Sequence, residues 1–104
     1  TPEAARLTGL LKFASADNAE IDFDDVAAAV ANDTASSEQR YQYAVKLMTR
    51  ERFEEAMEQF LALMVRDREY GDDAAKSSLI AAFDVLGQDP MVSKYRRKLA
   101  SYIL

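Results

Sequence analysis

Two alanines twelve positions apart constrain this chain more than any other feature. Ala44 is followed three positions later by Leu47, and Ala56 four positions later by Phe60. The stretch that holds them, Ser37 to Arg68, reads as two amphipathic helices joined by a tight turn near Arg50 and Glu51. Where two helices cross most closely, little more than a methyl group fits between their backbones. Ala44 and Ala56 therefore mark the crossing, and Phe60 fills the space beside it. The rest of the chain is expected to pack around this hairpin.

Helical spacing continues on both sides of it. Thr1-Pro2-Glu3 is a helix start, with Thr as the cap, Pro in the first turn and Glu at the positive end of the dipole. Ala4, Leu7, Leu11 and Ala14 then recur at helical spacing with Leu10 and Phe13 beside them, predicting a first helix to about Ala16 whose apolar face is that stripe. Gly9 is expected to weaken it by roughly 1 kcal/mol relative to Ala. Asp22 caps a short second helix, apolar at Phe23, Val26, Ala27 and Val30, ending near Asn32. Ser37 is the expected cap of a third helix, Glu38 to Thr49, lined by Tyr41, Ala44, Val45 and Met48. The fourth, Phe53 to Arg68, carries an apolar stripe from Phe53 to Val65 that is too wide for one partner, so it belongs between neighbours. Tyr70-Gly71-Asp72-Asp73 stops it and caps a fifth, with Ala75, Leu79, Ala82, Phe83 and Leu86 inward and Gly87 as a left-handed C-cap. Asp89-Pro90 opens a sixth, on which Val92, Tyr95, Leu99, Tyr102 and Ile103 share a face. Short polar turns and the lack of any alternating strand pattern predict an all-α fold of stacked antiparallel helical hairpins.

Composition removes whole classes of chemistry. The chain has no cysteine, which excludes disulfides, thiolate metal sites and thiol catalysis. It has no histidine either, so the usual general base near neutral pH and the commonest transition-metal ligand are missing. Neither an enzyme nor a cofactor is expected. A net charge of −5 argues against nucleic acid, whose phosphates need a basic surface. That charge is unevenly placed: residues 1–39 hold eight acids and two bases, residues 40–104 ten acids and eleven bases. No apolar run approaches the ~20 residues of a membrane span and no basic-then-apolar leader is present, so a cytoplasmic protein without membrane contact is expected. A chain of 104 residues suffices for one helical domain, residues 1–104, and the opening Thr is read as the start of a piece from a longer chain.

Two clusters invite chemical readings. Asp22, Asp24 and Asp25 suggest a divalent cation, but an EF-hand loop counted from Asp22 needs Gly at its sixth position and Glu at its twelfth, where Ala27 and Asp33 stand. Acids complementing a helix start account for them, so no metal is expected. Lys94, Arg96, Arg97 and Lys98 place four bases within five residues. One reading is a solvated helix face suited to the negative end of the dipole. Another is the polar rim of a docking surface whose apolar part is Tyr95, Leu99, Tyr102 and Leu104, suited to an acidic partner. A nucleic-acid patch is disfavoured by the overall charge and by the absence of interleaved aromatics. A second candidate surface is the concave side of the hairpin. If the third helix lines a groove, Glu38, Tyr41, Val45, Met48 and Thr49 face it, unless the first or second helix fills it.

The order of small and large residues at Ala44, Leu47, Ala56 and Phe60 resembles a tetratricopeptide repeat, and one such repeat is legible. From about Asp22 to Leu104 the chain is more specifically similar to the C-terminal tetratricopeptide-like module of bacterial thioredoxin-like co-chaperones, the chaperedoxins. The residues that carry this are Arg40-Tyr41-Gln42, Ala56 with Phe60, Arg66-Asp67-Arg68, Gly71-Asp72 with Ala75, Phe83 and Leu86-Gly87, Asp89-Pro90, and Tyr95-Arg96-Arg97 with Leu99. The resemblance implies a thioredoxin-like domain elsewhere in the parent chain. It also implies a role in holding unfolding client proteins for transfer to chaperonin and Hsp70 machinery. The alternative is an adaptor or scaffold of an unrelated pathway that shares only the repeat. Two departures from the family pattern concern local geometry: the turn Thr49-Arg50-Glu51-Arg52 lacks a Gly, and Arg68 stands where many repeats place Pro.

Overall fold

A computed structural model describes residues 1–103. Six helices follow one another in it: α1 (Pro2–Ala16), α2 (Phe23–Ala31), α3 (Ser37–Thr49), α4 (Phe53–Arg66), α5 (Tyr70–Leu86) and α6 (Pro90–Ile103). No strand occurs among the described residues. The hairpin of α3 and α4 makes the most extensive helix contact in the molecule. Ala44, Leu47, Ala56 and Phe60 are completely buried in it, as two closely crossing helices require. The wide stripe of α4 is used on three sides, against α3, α5 and α6.

Helix ends are set by local hydrogen bonds, and some differ from expectation. Ser36, not Ser37, caps α3 through a capping box, in which the Gln39 amide donates to Ser36 Oγ (3.1 Å) and the Ser36 amide donates to Gln39 Oε1 (2.9 Å). The reason is register: Gln39 stands three residues beyond Ser36, whereas three residues beyond Ser37 stands Arg40, which has no acceptor. The chain leaves α4 at Arg66 rather than Arg68, turning at Asp67. The turn without glycine closes as a Schellman motif. The amide of Arg52 donates to Leu47 O (2.9 Å), that of Glu51 to Met48 O (3.0 Å), and Glu51 itself takes the left-handed φ of 59° that a glycine would adopt freely. Asp33 does the same after α2, at φ 56°. Tyr70 leads into three consecutive left-handed residues, Gly71, Asp72 and Asp73, before α5 proper begins.

α1 presents the main correction. Leu7 and Leu11 are 60% and 67% exposed, and Ala4 and Ala14 also face solvent, so the predicted stripe is the outer face. The inner face is Gly9 and Phe13. α1 crosses α5 so closely at Gly9 that a Cβ there would lie 2.7 Å from Val85 Cγ2 and 3.0 Å from Ala81 O. Phe13 then reaches the ring of Phe60, 6.0 Å between centroids. Arg6 donates to Val85 O (2.9 Å) at the same crossing. Beyond α1 a buried polar clasp fixes the loop to α3. Lys46, 5% exposed at its side chain, donates to Asp17 Oδ1 (2.7 Å) and Asn18 O (2.9 Å), and Gln42 donates to Ala16 O (2.9 Å) while accepting from the Asn18 amide (3.0 Å). Buried polar groups of this kind hold only when fully paired, so the clasp ties α1 to the hairpin in one orientation.

Candidate functional site

The proposed groove residues of α3 do not share an open surface. Val45 and Met48 are buried outright, in the core they share with Phe13 of α1, which packs on both α3 and α5. Tyr41 is half-buried between Phe60 and Tyr70, at 6.2 and 5.8 Å between ring centroids, and burial raises its phenol. Only Glu38 and Thr49 remain exposed, at opposite ends of the helix.

α6 divides its residues between core, ion pairs and surface. Tyr95 and Leu99 are buried and belong to the core rather than to a docking face. The hydroxyl of Tyr95 donates to Glu58 Oε2 (2.6 Å), and Lys98 Nζ donates to the same oxygen (2.9 Å). One turn earlier Lys94 pairs with Glu54 at 3.2 Å. Lys94 and Lys98 also flank the Tyr95 ring, 5.3 and 5.1 Å from its centroid. Burial, and next the hydrogen bond to the Glu58 carboxylate, push the Tyr95 phenol far above its ordinary range. Burial alone raises the Glu58 carboxyl, but the hydrogen bonds from Tyr95 and Lys98, with the charges of Lys98 and Lys94, together outweigh it and leave that group below its ordinary value. Tyr95 is therefore an uncharged donor and Glu58 an anion across the neutral range.

The four bases do not form one patch. Lys94 and Lys98 point to α4, Arg96 lies over the Phe83 ring of α5 at 5.5 Å, and Arg97 is exposed without an ion pair among the described residues. Sequence spacing contained a signal for the α4 pairing: Glu54 and Glu58 stand four apart, as do Lys94 and Lys98, so two helices laid side by side match charge to charge.

An apolar surface lies at the C-terminal ends of α4 and α6. Leu61, Ala62, Val65 and Tyr102 line a depression of about 360 Å³ bounded by Arg66, Lys98 and Glu58. Val65 is 62% exposed and Tyr102 46%, and Ile103 is exposed beside them. Arg68 donates to Tyr102 O (3.1 Å), tying the end of α6 to the turn after α4. Arg66 reaches away to Asp33 at 3.0 Å. Val65 escaped the docking reading because its stripe on α4 reads as continuous core. Leu104, the last residue assigned to the docking surface, lies outside the described residues.

Other readings find no geometry. The Asp22 side chain accepts from the Asp25 amide (3.1 Å) as an ordinary N-cap. Among the described residues no three acidic side chains are grouped to hold a metal ion, and no helix is long and apolar enough to cross a membrane. The model of a family described as tetratricopeptide repeat matches residues 14–103, and the chain belongs to that family. Such domains generally mediate protein–protein interaction and are typically non-catalytic. No curated protein and no solved structure matches the chain.

Proposed function

We propose that this member of the tetratricopeptide-repeat family is the non-catalytic protein-binding module of a thioredoxin-like co-chaperone. In this reading residues 1–104 are one helical domain of a longer cytoplasmic chain, and the module helps hold unfolding clients and docks to chaperonin or Hsp70 machinery. The observation that carries it is the open apolar depression between α4 and α6. Val65 and Tyr102 are large apolar side chains held in solvent by a rigid framework, with Arg66, Lys98 and Glu58 at the edge of the depression. A patch of this kind, with a polar rim that carries both signs of charge, suits a protein partner.

Replacing an exposed anchor tests it without touching the core. Val65→Glu, measured for binding to purified chaperonin and to a chemically unfolded client, is expected to weaken both by about tenfold or more, as loss of a central anchor does. The melting temperature should be unchanged. Deleting residues 102–104 should have the same effect. Undiminished chaperonin binding by a folded Val65→Glu chain overturns this site. No chaperonin binding by the natural chain favours the adaptor of an unrelated pathway.

A further inference from the structure

α1 has two faces, and only one is partnered inside the molecule. Gly9 and Phe13 hold the helix against α5 and the core, with Arg6 on Val85 O and the Lys46–Asp17 clasp fixing its rotation. Rolling α1 to bury its leucines would withdraw Phe13 and break those bonds. The outer face is thus a rigid, preformed seam of Ala4, Leu7, Leu11 and Ala14, all exposed. Their spacing of three, four and three residues is that of the apolar positions along a paired helix. Beside the middle of the seam stand Leu10 on one side, half-buried, and Thr8 on the other, whose hydroxyl is already donated to Ala4 O (2.9 Å), with the charged Glu3 and Lys12 further out. On the Thr8 side a mostly apolar depression of about 330 Å³ runs to the exposed Ile80 of α5.

We infer that this seam pairs with the same seam of a second copy of the chain, antiparallel, about a two-fold axis at the level of Gly9. The order Ala, Leu, Leu, Ala is unchanged when read in either direction about position 9. A two-fold contact demands that symmetry, since residue i must meet j while j meets i. Leu7 of each copy then meets Leu11 of the other, Ala4 meets Ala14, and Leu10 and Thr8 each approach their own symmetry mates near the axis. Charge permits this direction: the acid on the edge of the seam, Glu3, lies about 18 Å along the axis from its own copy, twelve residues at 1.5 Å each. One pair of four-turn helices is a small interface, below roughly 1,200 Å² in all, so the dimer is a weak one of about micromolar affinity or less. Two chains of net charge −5 repel at long range, so salt strengthens this contact.

Sedimentation velocity on the chain, from about 10 µM to about 1 mM, reads the equilibrium directly. Mass should rise from one chain toward two across the series, and further at higher salt. Leu7→Lys should shift the midpoint by about tenfold or more, since the new charge would have to be buried against Leu11 of the other copy, with no acid across the seam. The double variant Leu7→Lys/Leu11→Glu should recover most of that loss, because antiparallel pairing sets each new cation against the other copy's new anion, twice, while a parallel pair sets like against like. A chain that is monomeric throughout, a Leu7→Lys variant that still associates, or a double variant no better than the single overturns the proposal. So does early melting of Leu7→Lys in dilute solution, which would place Leu7 inside the protomer. A seam taken only by an added foreign helix, with no self-association, overturns it as well.

Discussion

Two helix crossings in this molecule meet the same steric demand with different residues. α3 and α4 approach through Ala44 and Ala56, which sit within the apolar stripes of their helices, so the large residues and the small ones point the same way. α1 approaches α5 through Gly9, which lies opposite the leucine stripe of its own helix. The comparison teaches that the smallest residue, rather than the largest, marks a close crossing. A leucine can be accommodated at a surface at modest cost, whereas a side chain cannot be accommodated between two touching backbones.

The largest effect expected is at Phe60, which fills the space beside the α3–α4 crossing and also receives Phe13 of α1. Phe60→Ala should cost about 3–5 kcal/mol in denaturant unfolding, because it empties the space beside α3 and also removes the ring that Phe13 packs on. A much smaller loss would mean that α1 closes over the gap, and so that its crossing is the softer of the two. Gly9→Ala comes next and sharpens the contrast. In an open helix the change stabilises by roughly 1 kcal/mol, but against Ala81 O and Val85 it should destabilise by about 1–3 kcal/mol, much as Ala56→Leu should at the other crossing. A higher melting temperature for Gly9→Ala would break the comparison. Glu51→Gly should raise stability by about 0.5–1 kcal/mol, because relief of a left-handed side chain exceeds the added freedom of the unfolded chain. Least of all, Leu7→Ala and Leu11→Ala should each stay within about 0.5 kcal/mol in dilute solution, where a core leucine would cost several times more.

Legibility followed the same division. The face of α2, the crossing of α3 with α4, the inward residues of α5 and the positive φ of Gly87, 61°, were readable because each depends on periodicity or on a turn residue a few positions away. The cap of α3 was misplaced by one residue because Ser36 and Ser37 stand side by side and only the acceptor of Gln39 distinguishes them. At the candidate site the end of α6 was readable as an apolar segment, and Tyr102 is exposed there. The assignment of Tyr95 and Leu99 to the surface failed, since their place on α6 says nothing of α4 lying over them. Buried Lys46, Gln42 and Arg40 read as ordinary helix polarity, although each is committed to a partner far along the chain: Arg40, for one, donates to Gln59 Oε1 at 2.8 Å.

The sequence by itself determined the number of helices, most of their ends and the hairpin at the centre, because caps, turns and a period of 3.6 residues act within a few positions of the chain. Tertiary structure decided which way α1 turns, that Val45 and Met48 of α3 are buried with Phe13 of α1, and that the four bases of α6 go to three different surroundings. Those outcomes rest on contacts such as Arg6 with Val85 and Lys98 with Glu58, seventy-nine and forty positions apart, which no local pattern encodes. An amphipathic helix states only that it has two unlike faces. The shape of its neighbour, down to the missing Cβ of Gly9, selects which one is buried.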